Sequence, residues 1–552
     1  MRACGMKCVA MVAGVLVSAG AVLTASGQAV DVTLISEVGQ PAPGLGSEWD
    51  SFSVPRVNGS GQLLYRAGLA DGRSGLFVSL DGETFESVVE IGQPQPDTPG
   101  LTFEALGDHA IDRDGAVTFS ELTEFDSTGE LKAYWHRLPG GPPVLLARED
   151  DRVPDIPNEY YESFRDVRSV PLARRTIVSG RYRRGTQDSF FRIPLPDGSF
   201  LHRYREGLSV QGMFPWARWG SSVEGYNVFG NTAGDLVVSG LGVLDSGDEQ
   251  TFVMIDPLDE PPMFPVLSGD MTSTGETMYR IGEARGVDTA GNVLFKAWLD
   301  ADFSSRPALL YKQPGQLAEV LFRDFDPIPG TGLNYLDSNR WLLLDGLVGR
   351  PGSSITFDPA TRQGSFFLEA DRDPLTGEDS PGARAPFRGG HGGGSSPYAG
   401  LDQISVSGKG VFHFEVEGRM GLYLFDARTG VVGLALRENA MLEVAPGELR
   451  EVRSWRYYDD QASSTLALDD SGAVYTLVFF ADHPVGIYRF ELVDPNATCP
   501  ADVNGDGELG PGDFNAWVAA FNAGGDGCDQ NGDGLCTPAD FIAWVANFVA
   551  GC

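Results

Sequence analysis

A short apolar run introduced by a glycine turn recurs through most of this chain, and that recurrence limits the fold more than any other feature. SGQLLYRA (60–67), DGAVTFSEL (114–122), AGDLVVSG (233–240), AGNVLFKAW (290–298), GKGVFHFEV (408–416) and SGAVYTLVFF (471–480) are the clear copies. ARRTIVSG (173–180) and SNRWLLLDG (338–346) occupy the gaps between them. The mean spacing from Gly61 to Gly472 is about 59 residues, the scale of a propeller blade. Runs rich in Val, Leu and Phe suit strands buried on both faces. Each is followed by a second strand, as in SGLFVSL (74–80) or GIYRFEL (486–492), and most by a third, as in VLLARE (144–149). No helical period of useful length precedes residue 513. The expected fold is mainly β: a β-propeller of about eight blades over 30–493, whose radial closure protects strand edges.

The last repeat lacks its third strand. The missing piece stands at the other end of the chain, where VTLISEVG (32–39) resembles VLLARED and VGLALREN and has no strand before it. The N-terminal strand is therefore expected to complete the last blade, with Val32–Glu37 beside Gly486–Leu492. The alternative, an open arc, exposes two sheet edges.

Ahead of that strand, Arg2 and Lys7 precede an apolar run from Val9 to Leu23 and small residues up to Gly27 or Ala29. This reads as a signal peptide over 1–27, cleaved after 27 or 29. No other segment approaches the length of a membrane span. The expected product is secreted or held at the cell surface. Loss of Arg2 and Lys7 takes the formal charge from −35 to −37, which argues against nucleic acid as a general partner.

After a short linker (494–498), the tail at 499–552 has a different character. DVNGDGELGPGD (502–513) returns 27 residues later as DQNGDGLCTPAD (529–540). Asp502, Asn504 and Asp506 stand at loop positions 1, 3 and 5, Glu508 at 7 and Asp513 at 12; Asp529, Asn531, Asp533, Leu535 and Asp540 repeat the set. Alternate side-chain oxygens, a carbonyl at position 7 and a glycine at 6 are what a calcium loop needs. Each loop leads into one helix, with Phe514, Trp517, Val518 and Phe521, then Phe541, Trp544, Val545 and Phe548, on one face. Two ions are expected. The tail carries eight acidic residues and no Lys or Arg, so without cations its carboxylates repel one another.

One loop with one exiting helix, duplicated, and with Asp at position 12, resembles a dockerin. With its cysteines and its Gly-Cys ending, the tail resembles the GC-type dockerin-like domain of exported planctomycete proteins. The resemblance implies calcium-dependent folding and docking to a cohesin-like or other surface partner. Positions 10 and 11 depart from cellulosomal dockerins: Pro511-Gly512 and Pro538-Ala539 stand where Ser/Thr pairs are common. The four tail cysteines allow three pairings, and an exported chain favours disulfides. Antiparallel packing of the two halves points to Cys499–Cys552 and Cys528–Cys536.

Catalytic signatures are sparse. Six scattered histidines form no HExxH motif, SLDGETF (79–85) reads as a hairpin turn, and the glycine-rich 382–400 lacks the Lys-Ser/Thr of a phosphate loop. Aromatic residues do recur ahead of the Gly-led strands. Trp49, Tyr160, Trp216, Trp219, Tyr398 and Trp455 are candidates for stacking against sugar at one mouth, or for packing between blades. Ten arginines between Arg165 and Arg205 either grip anionic groups of a polysaccharide or neutralise nearby carboxylates. The leading reading is a non-catalytic binding propeller with a calcium-dependent tail. The alternative is a polysaccharide lyase or hydrolase using Tyr, His and Arg.

Overall fold

The computed structural model describes most of residues 30–323, the strands of 342–366, most of 409–456 and 467–493, and much of 501–550. The signal segment, 367–400 and Cys499 and Cys552 lie outside the described residues. The chain divides into two compact units at Leu492/Val493, close to the expected boundary.

The described strands of the first unit form eight antiparallel sheets in chain order. Sheet 1 lies within 41–90, sheet 2 within 105–148, sheet 3 within 161–205, sheet 4 within 218–267 and sheet 5 within 280–323. Sheet 6 lies within 342–366, sheet 7 within 409–437, and sheet 8 within 441–492. The core runs as layers between neighbouring sheets. Leu64 and Val78 of sheet 1 pack with Val117 and Trp135 of sheet 2, whereas Leu63 and Tyr65 of sheet 1 pack with Leu477 and Ile487 of sheet 8. Leu236 and Val238 likewise join the layer with sheet 3, and Val237 the layer with sheet 5. Successive residues of one strand thus serve two neighbours, which is why the runs are apolar throughout rather than alternating. Contact between the first and last sheets makes this a β-propeller arrangement.

The N-terminal strand, Val30–Glu37, pairs antiparallel with Gly486–Leu492, from Val30 opposite Leu492 to Glu37 opposite Gly486. This is the expected closure. It is locked by a buried ion pair, with Arg450 Nη1 donating to Glu37 Oε2 over 2.7 Å.

One expectation needs correction. In six of the eight sheets the Gly-led strand is not the first: a strand precedes it, as Ala105–Ile111 precedes Val117–Phe125 and Arg280–Val287 precedes Val293–Trp298, whereas Leu342–Leu344 and Lys409–Val416 are the first described strands of sheets 6 and 7. These leading strands carry irregularities, between Leu106 and His109 and between Ile281 and Ala284. A bulge shifts the side-chain alternation, so no periodic signal survives in ALGDHAI or RIGEARGV.

The turn into five of the Gly-led strands is one repeated device. Asn58, Asp112, Asn231, Asp288 and Asp469 occupy its first position. Their Oδ1 atoms accept the backbone N–H four residues on at 2.9–3.0 Å, from Gln62, Ala116, Asp235, Asn292 and Ala473. The fourth residue is glycine with positive φ, +80° at Gly61 and +89° at Gly472, a conformation other residues adopt at a cost. Neighbouring turns are tied together, because Asn58 Nδ2 donates to the Asp112 carbonyl and Asn231 Nδ2 to that of Asp288.

Burial pushes the Asp112 carboxyl up to about 6. A folded-state value above the unfolded 3.8 means that the charged form is disfavoured by folding, a penalty present above pH 6 and gone below about 3.8. Since Asn58 and Asn231 fill the same position, Asp112→Asn keeps the turn. It is expected to raise stability by about 1–3 kcal/mol at pH 7.5 and to be near neutral at pH 3.5, as read from urea midpoints.

Candidate functional site

The second unit contains helix α1, Pro511–Ala523, and helix α2, Pro538–Ala550. Proline opens each helix, where its missing N–H is not needed. Asp513 and Asp540 stand at the third helical position and reach back to cap the helix start. Gly510 N–H donates to Asp513 Oδ2 over 2.8 Å, and Thr537 N–H to Asp540 Oδ2 over 2.7 Å. The other oxygens turn into the loops, where Asp513 Oδ1 accepts from Asn504 N–H and Asp540 Oδ1 from Gln530 N–H. Both carboxylates are fully buried. The Gly510 N–H holds the Asp513 carboxyl below the usual carboxylate range, and the Asp502 side chain lies within hydrogen-bonding reach of it. Positions 1 and 12 of the first loop therefore meet through hard oxygen atoms.

That donor set suits calcium. Of the expected ligands, Asp502, Asn504, Asp513 and Asp540 are among the described residues. Asp506, Glu508, Asp529, Asn531, Asp533 and Leu535 lie outside the described residues, among which no group of three or more His, Cys, Asp or Glu side chains is assembled for a metal.

The two halves of the tail exchange matching hydrogen bonds. Trp517 Nε1–H donates to the Cys528 carbonyl over 3.2 Å, and Trp544 Nε1–H to the Ala501 carbonyl over 3.1 Å. Cys528 and Ala501 immediately precede position 1 of each loop, so each helix holds the entrance of the other half's loop. Trp517 and Phe541 pack at 5.3 Å between ring centroids, and Phe514 and Trp544 at 5.5 Å. Trp517→Phe keeps the packing and loses one buried hydrogen bond. It should cost the tail about 1 kcal/mol, seen as a lower midpoint for the tail alone.

Cys528 and Cys536 form a disulfide with Cα atoms 5.6 Å apart. It clips the entrance of loop two to its eighth position, as expected; Ala501 and Leu509 hold the equivalent places in loop one. The Cys499–Cys552 pairing lies outside the described residues.

The described aromatic candidates on the first unit pack within it. Trp49 is 1% exposed, enclosed by Phe52, Tyr65, Phe77 and Phe85, and Trp219 is 3% exposed, between sheets 3 and 4. Both lie on strands, Ser47–Phe52 and Arg218–Trp219, so their rings enter the layer between sheets rather than a mouth. Trp455 packs half-buried against the layer between sheets 7 and 8. Tyr160 is half-buried beneath Arg152, whose Nε donates to its hydroxyl. Trp216 and Tyr398 lie outside the described residues.

Of the arginine group, Arg192 is buried within Tyr161, Tyr182, Phe190 and Phe200, its guanidinium carbon 5.2–5.4 Å from each ring centre. It donates to the hydroxyls of Tyr161 and Tyr182, and its charge is spent on this aromatic box rather than offered to a ligand. His109 and His136 are buried in sheet 2, and burial lowers both, His136 to about 4, so neither carries charge at neutral pH.

Fold and loops together define a β-propeller followed by a small two-helix module. Residues 10–193 match a family described as a family of unknown function (DUF7453). No curated protein matches the chain. Among solved structures it is similar to the β-propeller domain of the Trilobed protease from Pyrococcus furiosus, at 11% identity and a TM-score of 0.32, covering 81% of this chain and 99% of that one. It is also similar to prolyl oligopeptidase B from Galerina marginata, at 10% identity and a TM-score of 0.36, covering 88% of this chain and 52% of that one. Acylaminoacyl peptidase from Pyrococcus horikoshii matches at 11% identity and a TM-score of 0.31, covering 81% and 52%. The chain thus spans about half the length of the two peptidases. Among the described residues, no helix is long and apolar enough to cross a membrane.

Proposed function

We propose that this chain is an exported, non-catalytic binding propeller of eight blades, retained at a surface or scaffold by a calcium-dependent, dockerin-like tail. The observation that carries the tail reading is that the position-12 carboxylates, Asp513 and Asp540, are buried and turned by backbone N–H groups into two loops whose sequence recurs after 27 residues. Two buried-side carboxyl groups in contact are stabilised by a shared cation. The chemistry the metal supplies is charge neutralisation and ordering of the loops; the protein's own part is to hold the position-12 carboxylates with backbone N–H groups.

Binding is favoured over catalysis by the placement of the titratable groups. The described histidines His109 and His136 are packed between sheets, and His483 is exposed on a turn; none joins the Tyr and Arg that line the cavity discussed below. A glycan array read alongside an assay for released products tests this reading. Retention of a glycan without products is expected, and release of unsaturated or reducing ends would move the chain to the lyase or hydrolase class.

A further inference from the structure

We propose that the cavity at the seam between sheet 1 and sheet 8 binds a neutral polyhydroxyl ligand, the class to which the end of a glycan belongs. This deepens the binding reading above and rests on it. The cavity encloses about 510 Å³ and is built by the turns at 58–62, 80–83 and 469–472, with Ile35 from the N-terminal strand and Arg489 from the strand beside it.

Its polar groups are held in place from within. Tyr475 donates its hydroxyl to Asp469 Oδ2 over 3.3 Å, and Asp469 Oδ1 is fixed by Ala473 N–H and Ser471. Arg489 is oriented by Glu491 at 2.7 Å. Asp81 is held by the N–H groups of Glu83 and Thr84 and by the Thr84 hydroxyl. Gly61 lies close over the buried Tyr475–Asp469 pair, where a Cβ would stand 3.0 Å from the Tyr475 hydroxyl and 3.5 Å from Asp469 Oδ2.

Charge selects the ligand class. Asp81 and Asp469 oppose an anion, and among the described residues no third His, Cys, Asp or Glu joins them to hold a metal ion. Carboxylate oxygens offer about two acceptor positions each, so both groups retain capacity for ligand hydroxyls, while the serine hydroxyls serve either way. Leu80, half-buried at the rim, gives the cavity an apolar wall for the C–H face of a sugar. The Tyr475 phenol, pushed up to about 12 mainly by burial, remains a donor and is no base at neutral pH. A ligand here touches the closing strand, sheet 1 and sheet 8 together, so it binds only the closed ring and stabilises it by mass action.

The test uses the full chain with cellotetraose, mannotriose and maltotriose as neutral probes, and with trigalacturonate and spermidine as charged ones, by titration calorimetry and thermal melting. Saturable binding of a neutral probe with a rising midpoint is expected, and neither charged probe binds comparably. Ser60→Trp places a ring over the exposed rim and keeps the Ser60 backbone bond to Asn58; it should weaken that binding about tenfold or more with the unliganded midpoint unchanged. Leu80→Phe, which narrows the cavity from the other side, guards against a folding defect in the first variant. Undiminished binding in both variants, preference for a charged probe, or no binding of any neutral probe at about 10 mM would overturn the assignment. Product release from a bound probe would overturn only the non-catalytic reading, since the two variants still report where the probe sits.

Discussion

Deleting residues 30–38 is expected to destabilise the first unit as a whole rather than fray one end. The strand gives its neighbour a full register from Val30 to Glu37, and Val30 and Val32 pack into the layer between sheets 7 and 8. It also reaches sheet 1: the Ser36 and Tyr65 hydroxyls meet at 3.0 Å, and Gly39 N–H donates to the Trp49 carbonyl. Without it, the edge of Gly486–Leu492 is bare and Arg450 loses its buried partner. Breaking a buried pair by removing one member costs about 3–5 kcal/mol. Glu37→Ala alone should fall near the lower figure, because Glu448 remains beside Arg450 at 2.6 Å. Urea unfolding of the deletion, of Glu37→Ala and of Glu37→Gln is expected to rank them in that order of damage. A deletion variant that unfolds at the wild-type midpoint would show that the strand does not hold the ring.

Chelation is expected to act on the other unit. At free calcium one hundredfold above Kd, each ion that binds only the folded state adds about 2.7 kcal/mol, comparable with the whole stability of so small a module. Calorimetry of the full chain should therefore show a tail transition that collapses in chelator and a main transition that hardly moves. Asp502→Ala with Asp529→Ala should reproduce the chelated trace in calcium. Acid should weaken the tail too. A carboxyl held below its unfolded value, as Asp513 is, contributes stability that is present above about 3.8 and lost as pH falls through the folded value. Identical traces with and without chelator would falsify the calcium reading.

Strand-forming repeats were readable because a strand buried on both faces must be apolar at every position, and eight such runs at one spacing leave few alternatives to radial packing. The closing strand was readable because a repeat with a missing part implies that part elsewhere. In five of the repeats an Asp or Asn stands three residues before the turn glycine, so the turn device too is written in local sequence. The leading strands were hidden by their bulges, and for the same reason the sequence left open whether Trp49 and Trp219 face a mouth or pack between blades; on strands, their rings face the next sheet.

By itself, then, the sequence determined the β repeat and the doubled acidic loop through local spacing, determined the N-to-C closure through a repeat left one strand short, and pointed to the Cys528–Cys536 clip. Only the tertiary structure decided the pairing of Glu37 with Arg450, the Trp517 and Trp544 bonds between the halves of the tail, the aromatic box around Arg192, and the seam cavity. Each of these joins residues whose separation in sequence carries no signal, and forms because packing brings their side chains to one place where burial makes an unpaired polar group costly.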